Sequence, residues 1–302
     1  MPAFIYRALG FVFVMGIGYL LRHRGLVKKE EARTFSTILM NVTLPSALLL
    51  SSQSMKVEQI ALLPFFLGIV ANLCLLVAGY VVWRKDRQKQ AAVMVGLSGY
   101  NIGTFTLPFV QAFFPASSLA TVLLFDAGNA IMVLGGNFSL ASQLTNQVSS
   151  PGLWRSLKPL GKSLPLLVYL LTLTLAYFSI SLPQDLLSIF SIAAQANPFL
   201  AMLYLGVLLD FPVSWAGWKE LVQGYWVRLL TNFCLAGLVV YGLPFSSSQT
   251  WMVLLCLLSP ISVLAPFYAW KLGGDGAEAA NLNSLSILGS LIALFALLYF
   301  GP

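Results

Sequence analysis

Charge is scarce in this chain. Of its 302 residues, 17 are Lys or Arg, 10 are Asp or Glu and one is His. Charged residues make up 9% of the total, against about 25% in soluble domains. A soluble fold needs a polar surface, and a chain that is 58% hydrophobic cannot supply one at this length. The scarcity excludes a soluble enzyme, a nucleic-acid binder and a disordered chain. Cysteine is also scarce: Cys74, Cys234 and Cys256 all lie in apolar runs, with no metal or disulfide spacing. No Walker loop, zinc pair or nucleophile elbow occurs. No pump, intramembrane enzyme, catalytic residue, metal or cofactor is therefore expected. His23 sits in a basic loop and nothing marks it as catalytic.

What the sequence does have is long apolar runs. A helix needs roughly 20 apolar residues to cross the hydrocarbon core. Uncharged stretches of that size or more separate Arg33 from Lys56, Glu58 from Arg84, Lys162 from Asp185 and Asp185 from Asp210. The stretch from Arg228 to Lys271 holds two crossings, with a turn at Gly242-Leu243-Pro244. Lys89 to Arg155 holds two more, divided near Phe114-Pro115-Ala116. The two ends add one each. The reading is an all-α membrane protein with ten spans, over 3–21, 34–54, 59–83, 91–113, 118–143, 164–182, 185–209, 222–242, 249–271 and 279–300. The first segment resembles a signal peptide, but no small-residue cleavage site precedes Arg22-His23-Arg24, so it reads as a retained span.

Basic residues orient the spans. The odd-to-even connections carry fourteen of the 17 Lys and Arg, clustered at 22–33, 84–89 and 155–162 with Lys219 and Lys271 beyond. The other side carries Arg7 and Lys56, and Arg228 falls just inside span 8. The positive-inside rule then places both termini outside the cytoplasm, in a multi-pass protein of the cytoplasmic membrane. The excess of basic charge faces anionic lipid and needs no nucleic-acid partner.

A shift of about 160 residues aligns the halves, as expected of an inverted repeat. Asn72-Leu73-Cys74-Leu75 meets Asn232-Phe233-Cys234-Leu235, and Leu107-Pro108-Phe109 meets Ala265-Pro266-Phe267. Residues 1–143 and 164–302 are read as two inverted five-span repeats, joined by a cytoplasmic loop over 144–163. Spans 4 and 9 make poor continuous helices. Span 4 packs Gly96, Gly99, Gly103, Asn101, Thr104, Thr106 and Pro108 into one stretch; span 9 carries Ser259, Pro260 and Pro266. Broken backbone survives in a membrane only inside protein or beside a wet cavity. Two breaks at the repeat spacing point to a substrate site whose exposed helix starts suit an anion. A pair of packing kinks is the alternative.

Asp126 is the single acid deep inside a span. Burial favours its protonated form. It is a proton-carrier candidate with Asn129, or else a structural carboxyl bonded to the broken backbone of span 4. Asn41, Thr43 and Pro45 should kink span 2, and Gln195, Asn197 and Pro198 span 7. These residues, with Asn281, Asn283, Ser284 and Ser286, either line a cavity or bond neighbouring helices.

The chain resembles the auxin efflux carrier family in its small bacterial form. The likeness rests on Asn41-Val42-Thr43-Leu44-Pro45 in span 2, Gly99-Tyr100-Asn101-Ile102-Gly103-Thr104-Phe105-Thr106-Leu107-Pro108 in span 4, Asn197-Pro198-Phe199-Leu200-Ala201 in span 7 and Asn283-Ser284-Leu285-Ser286 in span 10. It departs from the family pattern where Tyr100 intrudes between Gly99 and Asn101, and where Thr106 replaces a glycine. The resemblance implies ten spans whose broken helices 4 and 9 cross at mid-membrane. It implies a transport domain of spans 3–5 and 8–10 that moves like an elevator on a scaffold of spans 1–2 and 6–7, in a homodimer. It carries Asn101, Pro108 and Pro266 over to the crossing, with Ser259 and Pro260 nearby; Gly103 and Thr104 share the motif and Asn41 joins as a candidate. The expected function is a secondary carrier of a small organic anion, such as a carboxylate. A sodium-coupled carrier of the bile-acid symporter type and a non-transporting membrane sensor are the rivals.

Overall fold

The computed structural model describes residues 2–55, 62–145, 158, 161, 163–210 and 218–300. Most of the connecting loop expected at 144–163 lies outside them. The described residues are helical, without strands. Helices are α1 (Pro2–His23), α2 (Lys29–Ser52), α3 (Leu63–Val82), α4 (Arg87–Leu97), α5 (Leu107–Phe113), α6 (Ala116–Thr145), α7 (Leu164–Tyr177), α8 (Gln184–Leu208), α9 (Trp218–Gly242), α10 (Ser247–Leu257), α11 (Ala265–Lys271) and α12 (Gly276–Phe300). Helix occupies part of each apolar segment read from the sequence. Among the described residues, seven helical runs are long and apolar enough to cross a membrane: α2, α3, the run Lys89–Phe113, α6, α8, α9 and Gly276–Leu297. Helices α7 and α10 are apolar but shorter. The protein is a multi-pass membrane protein.

Local chemistry explains the helix starts. Proline stands in the first turn of α3, α5, α7 and α11, where its missing N–H is not needed. Asp86 caps α4 through the Lys89 N–H, and Ser246 and Gln249 form a capping box on α10. Wide π-helical turns at Leu39–Thr43 and Ile102–Thr106 lie just before Pro45 and Pro108. Such turns re-space the backbone where a proline withdraws a donor. Helix α8, by contrast, runs on through Pro198.

The chain divides into two compact units. The first comprises 1–60, 102–123 and 163–209, and the second 61–101, 124–162 and 210–302. In the first, α1 packs on α8 at two glycines: a Cβ on Gly206 would run into the Met15 carbonyl, and one on Gly18 would stand 3.1 Å from Gly206 Cα. Small residues let helix backbones approach closely. A buried chain also ties this unit: Thr43 Oγ1 donates to Asn197 Oδ1 (2.9 Å), and Asn197 Nδ2 donates to Gln111 Oε1 (2.8 Å). In the second unit, Gly68 of α3 and Gly128 of α6 leave no room for a Cβ against the Phe125 and Phe65 carbonyls. There α4 packs between α3, α11 and the end of α6.

Candidate functional site

Two interruptions lie in the second unit or at its edge. Between α4 and the turn at Ile102, residues 98–101 are non-helical, with Gly99 at φ +84°. Between α10 and α11, residues 258–264 are non-helical. The two meet: the Asn101 N–H donates to the Pro260 carbonyl at 2.9 Å. Each break finds polar partners on the second helix after it, α6 for the first and α12 for the second. For the first, Asn129 of α6 behaves like a neighbouring strand. Its Oδ1 accepts from the Tyr100 N–H (3.1 Å) and its Nδ2 donates to the Tyr100 carbonyl (2.9 Å). For the second, Ser286 Oγ of α12 accepts from the Ile261 N–H (3.0 Å), and Asn283 Nδ2 donates to the Ser262 carbonyl (3.2 Å). Backbone groups freed by the breaks are thereby satisfied away from water.

The remaining partners of Asn129 extend the network. Its Nδ2 also donates to Asp126 Oδ1 (2.9 Å), and its Oδ1 accepts from Asn72 Nδ2 (3.1 Å). Asn72 Oδ1 in turn accepts from Asn137 Nδ2 (2.9 Å). Asp126 and Asn129 are both buried. The carboxyl is thus one amide removed from the broken backbone of span 4.

Arg228 of α9 supplies the positive charge. It is 2% exposed and among the largest fully buried side chains. One guanidinium nitrogen donates to the Leu97 carbonyl (2.5 Å) and another to the Ser259 carbonyl (3.0 Å). The Leu97 carbonyl ends α4, and the Ser259 carbonyl lies two residues past the end of α10, in the second break. A cation there offsets the negative ends of two helix dipoles and bonds carbonyls that no helix satisfies. The guanidinium also stacks 4.7 Å from the Tyr100 ring centroid, and the Tyr100 hydroxyl donates to Asn232 Oδ1 (2.7 Å), one turn beyond Arg228.

Among the expected site residues, Asn101, Ser259, Pro260, Asp126 and Asn129 come together in this unit. Pro266 stands in the first turn of α11. Gly103, Thr104, Pro108 and Asn41 belong to the other unit. There Gly103 lies against Met40 and Tyr169, Thr104 and Pro108 are buried, and Asn41 is exposed with its amide donating to the Thr37 carbonyl (2.8 Å). Arg228 was missed as a site residue by sequence reasoning. The one available signal was a lone basic residue inside a charge-poor span, which the topology count set aside. Tyr100, a departure from the family pattern, contributes its backbone, hydroxyl and ring to the network.

Comparison with known proteins fits this architecture. Residues 4–151 match the family described as "Membrane transport protein". The chain is 23% identical over 292 residues to an uncharacterized transporter of Methanothermobacter thermautotrophicus, covering 95% of this chain and 94% of that protein. It is 26% identical over 242 residues to an uncharacterized transporter of Methanocaldococcus jannaschii, covering 74% and 76%. By these matches the chain is similar to the auxin efflux carrier family of membrane transporters. The joined breaks and their Asn, Ser and Arg partners form the candidate site.

Proposed function

We propose that this transporter is a secondary carrier of a small organic anion, a carboxylate, across the cytoplasmic membrane. The observation that carries the reading is the hydrogen bond between the two breaks, Asn101 N–H to Pro260 carbonyl. It supports ten spans in two inverted repeats, over 1–143 and 164–302, with broken spans 4 and 9 crossing. The parallel service of Asn129 to the first break, and of Asn283 and Ser286 to the second, supports the same repeat.

The anion binds at the break, where helix starts present N–H groups. The Asn101 side chain orients it, since the Asn101 backbone N–H is already committed to Pro260. Arg228 holds the two first half-helices by their carbonyl ends and adds positive potential nearby. Spans 3–5 and 8–10 move as an elevator on spans 1–2 and 6–7, within a homodimer in the lipid bilayer and with both termini outside the cytoplasm. Asp126 carries a coupled proton.

Counterflow of radiolabelled carboxylates into proteoliposomes, across a substrate panel, tests the reading. A saturable exchange with at least one carboxylate is expected, and no exchange with any overturns it. Sodium dependence of that exchange would favour the symporter rival, and a folded protein that exchanges nothing would favour the sensor. Asn101→Ala should lower exchange at least tenfold while leaving the folded yield intact; full exchange removes the Asn101 role. Asp126→Asn should flatten the pH dependence of exchange, and an unchanged profile removes the proton role.

A further inference from the structure

Two buried amide oxygens are left without a donor among the described residues, Asn137 Oδ1 and Asn283 Oδ1. Asn137 is 3% exposed and Asn283 is 6% exposed. Their orientation is not a free choice of amide flip. The Tyr100 N–H and carbonyl fix Asn129; Asn129 Oδ1 and the Gly68 carbonyl fix Asn72; Asn72 Oδ1 then takes Asn137 Nδ2. Likewise the Ser262 carbonyl takes Asn283 Nδ2. Turning either amide would face oxygen to oxygen and strand a nitrogen.

Both amides belong to the same corner of the second unit. Asn283 bonds Ser262 directly. A Cβ placed on Gly99 would stand 3.0 Å from Ser262 Cβ and 3.8 Å from Asn137 Nδ2. Gly99 and Ser262 therefore lie beside the two amides, and Val133 Cγ2, 3.1 Å from the same Cβ position, walls that corner with an apolar side chain.

We propose that Asn137 Oδ1 and Asn283 Oδ1 form a subsite for a single monovalent cationic group. Two buried acceptors of partial negative charge attract a cation and repel the carboxylate the carrier binds. The group is monovalent for two reasons. Both oxygens are neutral, whereas divalent sites recruit carboxylates, and the hydrogen-bonded chain from Asn137 to Asp126 runs through two intervening amides, Asn72 and Asn129. Among the described residues no cluster of three His, Cys, Asp or Glu could hold a metal ion. Arg228 also places one positive charge in this unit, on the carbonyls of Leu97 and Ser259, which disfavours adding two more. The cationic group is either a free alkali ion or the ammonium of a bound amino-carboxylate; the second source alone rests on the carrier reading above.

Thermal denaturation of the purified full chain in detergent tests the subsite without any transport assay. The first arm compares sodium, lithium, potassium and ammonium chlorides with choline chloride at equal ionic strength. The second, in choline chloride, compares alanine with propionate and glutamate with glutarate. A saturable rise in midpoint of a few degrees is expected either with a small cation over choline or with the amino-bearing member of a pair. Asn283→Leu and Asn137→Leu should abolish that rise, and Asn283→Asp should enlarge it. An identical midpoint in every salt and for both members of each pair overturns the proposal, whatever the variants do. So does a rise that survives in both Leu variants. Loss of counterflow with the salt response intact would instead sink the carrier reading and spare the subsite.

Discussion

Arg228 and Asn129 each serve several backbone groups, so each concentrates risk in one side chain. Arg228→Met leaves the Leu97 and Ser259 carbonyls buried without their donors. Each charge-assisted bond is worth about 1.5–3 kcal/mol. A lower thermal midpoint and reduced folded yield are expected, measured by heating in detergent followed by gel filtration. Arg228→Lys keeps the charge but loses the planar fork that reaches two carbonyls, so its midpoint should fall between the two; a midpoint equal to that of Arg228→Met would show that charge contributes nothing. Asp126 and Asn129 were legible together in the sequence because residues three apart share a helix face. Arg228 was not, because its two acceptors lie 131 and 31 residues away along the chain.

The breaks set the logic at the scale of the helix. Proline, glycine and polar residues inside apolar runs marked both breaks in the sequence, and helix is absent at 98–101 and 258–264. The same residue types gave a different result in α8, where Asn197 bonds Thr43 and Gln111 and the helix continues through Pro198. A proline therefore announces a lost donor, and the surroundings decide whether the helix parts. Gly99 is needed at its break, since φ +84° penalises any L side chain and a Cβ would crowd Ser262. Gly99→Ala should destabilise the protein by about 1–2 kcal/mol, read as a lower midpoint in the same heating assay, and an unchanged midpoint would refute the strain argument.

Across the whole molecule, scarcity of charge organises the fold in a bilayer. Apolar side chains remain exposed along the helices, such as Phe13, Val77, Leu170, Ile192 and Phe233, as lipid-facing surfaces require. The sequence reading puts fourteen basic residues on the cytoplasmic side, and single cysteines offer a direct test of that orientation. In a background lacking Cys74, Cys234 and Cys256, Arg24→Cys and Lys271→Cys should react with an impermeant maleimide only after cells are opened. Ser179→Cys should react in intact cells. The reverse pattern would invert the topology.

Hydropathy and the chemistry of proline and glycine locate the apolar helices and the two that fail, because both act within a turn or two of the chain. The sequence also isolated Asp126, since a lone carboxyl in an apolar run stands out without any partner in view. What satisfies the broken backbone is visible in the packed helices alone. Asn129 answers Tyr100, Ser286 answers Ile261 and Arg228 answers two helix ends at once. These bonds form between residues brought together from distant positions. In a low-dielectric interior each freed N–H or carbonyl must find such a partner, and which one it finds depends on how the helices pack.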